Sequence, residues 1–551
     1  MYGSISSKLD DEVGMSKVTT HPFPTSPDQQ QVSRRREGRS QIIWSSSGWK
    51  MAFGFVFVGV VVVAIISQID DFPRMAHALS TSTFGRLYCS SSSTSCSSSV
   101  NDDDSKDEES SKRNTMMGDP HSAISIRGQG IKVVRDDLPL FEKGTEDPYH
   151  PIDNPDGYLV MLVAENKLMW KEMAAKIESI QVSHTLPEWV FTYGDMGGEK
   201  KFKHSMANMM KRWIHSPVDP TYLRLQAGAG SILDQLSYIL ADTNDGVIIT
   251  GPGYPAFPSD FAIYGHAKLY VAPTQAANGY VPTIEELDEC YDRSTKAGSP
   301  PKIFVICQPN NPTGTIYPKE AMQMMISWAL DKKLHIISDE IYALSTLPSY
   351  NTTSAADIMF EWEQQSNNKN SNNNPSELYL GDYVHIVSGL SKDWGMSGFR
   401  VGYVFSHNTE LLRAMDIVGY YQAVSSYTQH VLSYVFEDDA FVDWYINENR
   451  KRLHDTYSAL EEALSLIDVP LVPSQGGIFA WADFSALLKE NQTEKELWME
   501  LFDDVKVALT SGESCYGDKP GMFRIVYGWP EGGRAAMEEF GRRLVRWKAQ
   551  R

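Results

Sequence analysis

Four short apolar runs constrain this chain more than any other feature: 246–250, 303–308, 334–339 and 384–390. They lack the polar–apolar alternation of a half-exposed strand and are rich in Val and Ile. That is the pattern of strands covered on both faces. Helical patterns lie between them, including 232–241 after Leu225-Gln-Ala-Gly-Ala-Gly-Ser231. The strand–helix alternation across 225–406 predicts an α/β fold with a largely parallel sheet. The segment after about residue 440 reads as a smaller α+β domain.

The last run ends in Ser391-Lys392, followed by a glycine-punctuated turn and Arg400. A lysine presented from the end of a buried strand into a cleft loses its proton readily, because burial penalises the ammonium form. Such an amine condenses with an aldehyde. A cation eight residues later suits a phosphate. Asp339 ends the preceding run, from which a carboxylate can pair with a protonated pyridine nitrogen. Tyr342 and Asn311 (the latter in Pro309-Asn-Asn-Pro-Thr-Gly314) can hydrogen-bond a phenolic oxygen on the same ring. Singly, a strand-end Asp or an Asn-Pro-x-Gly segment is a plain turn. Together, in this order, they point to pyridoxal phosphate (PLP) as cofactor.

On these motifs the chain resembles the fold-type I, PLP-dependent aminotransferase class I/II superfamily, across roughly residues 150 to 545. Within it, the chain is most similar to the 1-aminocyclopropane-1-carboxylate (ACC) synthase branch. The resemblance implies that Lys392 binds the cofactor and later acts as general base, with Ser391 among the cofactor contacts. It implies that Asp339 pairs with the pyridine nitrogen, Asn311 and Tyr342 hold the ring hydroxyl, and Arg400 holds the phosphate. Ala229 and Gly230, where many ACC synthases carry Ala-Thr, would cradle that phosphate at the positive end of a helix. Tyr254, in Pro252-Gly-Tyr254-Pro, would stack on the ring. Arg524, in Met522-Phe-Arg524-Ile-Val, would grip the substrate's α-carboxylate, which a guanidinium fits bidentately.

Leu162-Val-Ala-Glu165-Asn-Lys167 resembles the Ala-Glu-Asn-Gln stretch of ACC synthases, which implies that Glu165 faces the substrate. Tyr193, followed by Gly194-Asp195, resembles a Tyr-His-Gly motif whose tyrosine reaches the cofactor of the partner subunit; this implies a homodimer. Ser425-Ser-Tyr-Thr-Gln-His430 also fits the branch. Four positions depart from it: Gly389 replaces a serine, Lys167 a glutamine, Gly194 a histidine and Ser397 a proline. These changes resemble ACC synthase-like proteins outside plants. The leading expectation is lyase chemistry on S-adenosylmethionine, giving ACC and methylthioadenosine. The alternatives are an aminotransferase that turns an amino acid into a 2-oxo acid, and a catalytically silent, membrane-tethered PLP-fold binding protein.

With 551 residues, 42% of them hydrophobic, the chain can bury a two-domain core after a long N-terminal region is set aside. Its net charge of −20 disfavours nucleic acid as a partner. The expected layout begins with a disordered tail (1–48), a transmembrane signal anchor (49–69) and a Ser-rich, then acidic, disordered stalk (70–125). An N-terminal arm and part of the small domain (126–219) follow. The large PLP-binding domain (220–440) carries a low-complexity insertion at about 351–378, of which the tract 364–374 reads as a surface loop, and 441–551 complete the small domain. Residues 51–66 contain no charge, and the apolar stretch is close to the ~20 residues needed to cross a bilayer. Arg34-Arg-Arg36, Arg39 and Lys50 precede it and Asp70-Asp71 follow, which places the N-terminus in the cytoplasm. A buried helix or a cleaved targeting segment is the other reading of this stretch. The five cysteines form no framework, and no metal-ligand spacing is present.

Overall fold

A computed structural model describes residues 123–131, 135–368, 380–528 and 532–551. The expected tail, the expected signal anchor at 49–69, nearly all of the expected stalk and the later part of the insertion lie outside the described residues. Among the described residues, no helix is long and apolar enough to cross a membrane.

A short strand, β1 (Leu159–Val160), comes first. The main sheet then uses β2 (Leu223–Gln226), β3 (Gly246–Gly251), β4 (Lys268–Pro273), β5 (Pro301–Cys307), β6 (His335–Asp339), β7 (Val384–Gly389) and β8 (Gly402–Ser406). Its spatial order is β2-β8-β7-β6-β5-β3-β4. The pairs β3–β4, β3–β5, β5–β6 and β6–β7 are parallel. β8 runs antiparallel to both of its neighbours. The α/β fold with a mostly parallel sheet is therefore as expected, with one reversed strand.

Every residue of β3 and of β7 is buried. The reason is a layer of helices on each face, so successive side chains enter different cores. Ile248, Phe304, Ile336, Ile386 and Phe405 pack on one side, with Met322, Met325 and Ile326 of the helix Lys319–Asp331. Val247, Ile249, Val305, Ile337, Val387 and Val404 pack on the other, with Ile232, Leu233 and Leu236 of the helix Ala229–Leu240.

β9 (Leu471–Val472), β10 (Phe479–Asp483), β11 (Val507–Ala508), β12 (Thr510–Ser511) and β13 (Met522–Val526) belong to the smaller lobe. Four of them form a sheet in the order β12-β13-β10-β9, and β11 pairs with β1. The long helix Asp439–Ser465 joins the lobes: Val442, Tyr445 and Ile446 enter the main core, whereas Leu453, Tyr457 and Leu460 enter the small one.

The structure adds detail to two of the expected segments. The insertion placed at about 351–378 opens with a helix, Ala355–Asn368, whose Ala355, Ala356, Ile358 and Met359 are buried in the main core. The Asn- and Gln-rich composition begins only after that buried face is complete. Within 126–219, expected to hold an N-terminal arm and part of the small domain, the helices Trp170–Ser183 and Lys200–Met210 bury Met173, Ile180, Phe202 and Met206 in the main core.

Candidate active site

The chemistry-bearing residues converge because the parallel strands end together. Asp339 is the last residue of β6, Asn311 follows β5, Tyr254 follows β3, and Ser391-Lys392 follow β7. The crevice at the carboxyl ends of such strands is where open α/β sheets take ligands. Here a cavity of about 360 Å³ opens, lined by Glu165, Ala229, Gly230, Tyr254, Asn311, Asp339, Tyr342, Ser391, Lys392 and Arg400. Leu233, Asp260, Ile341 and Ser397 line it as well.

Lys392 is held at depth, with its Nζ donating to Ala164 O at 2.5 Å. Burial pushes its ammonium down to about 8; the Glu165 carboxylate pulls the other way, and Arg524 and Arg400 add to the lowering. The result is an amine whose neutral form, nucleophilic and basic, is populated far more near neutral pH than that of an exposed lysine.

Asp339 is raised to about 6 by burial, against the opposing pull of the Ile341 backbone N–H, the Cys307 thiol and the Lys392 charge. The Cys307 Sγ lies 3.8 Å from its Oδ2. Its Oδ1 is buried with no partner. An orphaned carboxylate oxygen at the end of a buried strand is unfavourable unless a donor arrives from the cavity. A pyridinium N–H is such a donor.

Asn311 Nδ2 donates to the Tyr342 hydroxyl at 3.4 Å, and its Oδ1 accepts from Arg524 Nη1 at 3.0 Å. Arg524 comes from β13 of the small lobe, so it stands behind Asn311 and does not itself line the cavity. Its Nη2 donates to Leu162 O and Thr510 Oγ1 at 2.6 and 3.1 Å, and its Nε is buried without a partner.

The other end of the cavity is built for an anion. Gly228 (φ 99°) precedes the helix Ala229–Leu240, so the first backbone N–H groups of that helix open toward the cavity. A Cβ at Gly228 would meet Arg400 Nη2 at 2.4 Å, and one at Gly402 would meet Ala229 N at 2.3 Å. Only glycines let the helix start, β8 and the guanidinium come this close. Arg400 itself adopts a left-handed backbone (φ 54°), held by bonds from Nη1 to Ser397 O and from Nη2 to Ala227 O.

The donor set thus fits PLP: an amine for the aldehyde, a free carboxylate oxygen for the ring nitrogen, and a glycine-opened helix end with a guanidinium for the phosphate. Two sequence-predicted residues stand outside the cavity lining: Arg524, buried directly behind Asn311, and Tyr193, which is 87% exposed. Asp260 and Ser397 were not assigned to the site from sequence. Asp260 follows Tyr254 on the short helix Phe257–Ala262, and burial near Asp339 raises it to about 7. Ser397 had a signal, its departure from the expected proline, but no role attached to it.

Residues 162–544 match the family described as aminotransferase class I and II. This chain belongs to that family. The enzyme is 30% identical to 1-aminocyclopropane-1-carboxylate synthase 6 of Oryza sativa subsp. japonica over 426 residues, covering 74% of this chain and 76% of the relative. It is 31% identical to 1-aminocyclopropane-1-carboxylate synthase 8 of Arabidopsis thaliana over 398 residues, or 70% of this chain and 82% of that one. Among solved structures, a double mutant of Thermus thermophilus aspartate aminotransferase superposes with a TM-score of 0.63 at 18% identity, covering 77% of this chain and all of that one (100%). The Pyrococcus horikoshii aromatic aminotransferase gives 0.60 at 18% identity, over 71% and 96% of the two chains. These structural likenesses establish the fold-type I architecture. The enzyme is PLP-dependent, as its family is.

Proposed function

We propose that the enzyme carries out ACC synthase-like lyase chemistry on S-adenosylmethionine. The observation that carries this reading is the placement of Glu165 in the cavity beside Lys392, on the segment whose sequence resembles ACC synthases. The named relatives, at about 30% identity over some 70% of the chain, support it.

When bound, PLP supplies an electron sink for the pair left behind as the Cα–H bond breaks. Lys392, freed by the incoming amino acid, takes the Cα proton at Nζ; its lowered proton affinity suits a base that works near neutrality. Asp339 keeps the ring nitrogen protonated through the otherwise unpartnered Oδ1. Arg524, set behind Asn311 with its Nε buried and unpartnered, would orient the substrate's α-carboxylate. In the lyase reaction, Cα then bonds to Cγ while the Cγ–S bond breaks and methylthioadenosine leaves. In an aminotransferase, Lys392 would instead pass that proton on, the cofactor would retain the amino group, and water would supply the carbonyl oxygen of the departing 2-oxo acid.

Full-length, PLP-loaded protein incubated with S-adenosylmethionine is expected to yield methylthioadenosine and ACC in equal amounts, with none from Lys392→Ala. Keto acid from ordinary amino acids without methylthioadenosine would make it an aminotransferase. Cofactor uptake with neither product would leave a binding protein.

The same reading takes the enzyme to be a homodimer, with the exposed Tyr193 and its neighbour Phe191 (74% exposed) facing the second copy. It also takes residues 49–69 to be a signal anchor with a cytoplasmic N-terminus, on the strength of the flanking charges alone. Sedimentation of the solubilised protein and protease protection in membranes test these two parts.

A further inference from the structure

Ser397 stands where three parts of the site meet. Its hydroxyl donates to Glu165 Oε1 at 2.7 Å, and its carbonyl accepts from Arg400 Nη1 at 2.9 Å. It opens the turn Ser397–Phe399, which follows the loop carrying Lys392. Glu165 sits next to Ala164, whose carbonyl accepts from Lys392. Among the described residues, no second hydrogen bond reaches the Glu165 carboxylate. A carboxylate with a single anchoring donor is aimed by that donor.

The charges of the cavity give this aim a consequence. Its lining holds Glu165, Asp260 and Asp339 against Lys392 and Arg400. Lys392, Asp339 and Arg400 are the groups that the cofactor's aldehyde, ring nitrogen and phosphate engage. What remains facing an amino acid in the lining is the Glu165 carboxylate, with Asp260 held partly protonated near neutral pH by its burial beside Asp339. The nearest further cation, Arg524, stands outside the lining behind Asn311, where the proposed function assigns it to the α-carboxylate.

We propose that Ser397 is a positioning residue that fixes the Glu165 carboxylate toward the cavity, so that amino acids with a positively charged side chain are favoured over those with a second carboxylate. Coulomb attraction favours the first class and repels the second, and specificity lies in that difference. The inference rests on the cavity taking an amino acid, as proposed above, and not on which reaction follows.

The test uses full-length, PLP-loaded protein titrated with S-adenosylmethionine and, separately, with glutamate, following the absorbance of the bound cofactor. Wild type, S397A, S397T, E165Q and S397A/E165Q are compared. Removing one charge-assisted hydrogen bond is expected to weaken S-adenosylmethionine binding about tenfold in S397A and to narrow its preference over glutamate similarly. S397T restores both, S397A adds nothing in the E165Q background, and cofactor release stays unchanged in all of them. The proposal is overturned if S397A keeps the wild-type preference. It is equally overturned if its penalty persists in E165Q, or if the cofactor loosens, because Ser397 then acts through Arg400 or the fold. A wild-type protein whose cofactor responds to neither amino acid overturns the amino-acid reading of the cavity itself, a result separable from these.

Discussion

Asp339 and Glu340 are adjacent carboxylates, both buried, and they enter two different regions of the molecule. Asp339 ends β6 and faces the cavity with Oδ1 unpartnered. Glu340 turns into the seam beneath the helix Ala355–Asn368. There its Oε1 accepts from Ser338 Oγ at 2.9 Å and from Ser354 Oγ and Ala355 N at 3.0 Å, while Oε2 accepts from Trp213 Nε1 at 2.9 Å. Burial raises both, Asp339 to about 6 and Glu340 to about 7. The similar shifts therefore do not distinguish the functional acid from the structural one. The hydrogen-bond inventory does: one carboxylate is complete within the protein, and the other awaits a donor from outside.

The contrast breaks most decisively at Asp339. Asp339→Asn keeps the shape but cannot hold the ring nitrogen protonated, so kcat/KM is expected to fall by about 10³-fold or more. The denaturation midpoint of the cofactor-free protein should stay level or rise, since a buried, half-satisfied charge has been removed. A stability loss without a catalytic one would reverse the assignment. Glu340→Gln is the mirror experiment. One of its two acceptor oxygens becomes an amide nitrogen facing the fixed N–H of Trp213 or Ala355, which should cost about 1–3 kcal/mol in chemical denaturation. The folded fraction should retain its turnover.

Lys392 sharpens the same comparison through pH. Its proton is lost at about 8, so the rate at which cofactor-free enzyme takes up PLP should climb with pH and level off above about 8. An exposed lysine would go on gaining until beyond pH ~10. Stopped-flow absorbance across pH 6.5–9.5, a range chosen to bracket that ionisation, resolves the two. The smallest effect on stability belongs to Tyr193, which lies in neither region. Tyr193→Ala should shift stability by less than about 0.5 kcal/mol, because the side chain is exposed within its own chain. Turnover should nevertheless drop, and unchanged turnover would sink the two-subunit site.

The parts of this molecule that were legible in the sequence are those where one physical demand dominates. The runs 303–308 and 334–339 differ from β5 and β6 by at most two residues at either end, because strands buried on both faces admit little besides Val, Ile and small residues. Asp339, Asn311 and Lys392 were legible because each ends or follows such a run. The reversed direction of β8 was not, since an apolar strand reads alike in either direction. The helix Ala355–Asn368 was hidden by the polar tract that follows it. Asp260 and Ser397 were missed for a different reason. Asp260 sits on a helix of only six residues and Ser397 on a single turn, and segments this short leave no periodic trace in the sequence.

The helix Asp439–Ser465 runs from one core into the other. At 27 residues it is about 40 Å long, with its first half embedded under the main sheet and its second half under the small one. A rod seated in two blocks cannot melt in one and persist in the other without exposing half of its own apolar face. The shared helix therefore couples the two lobes: a mutation that loosens its seat in one core is expected to lower the stability of the other as well.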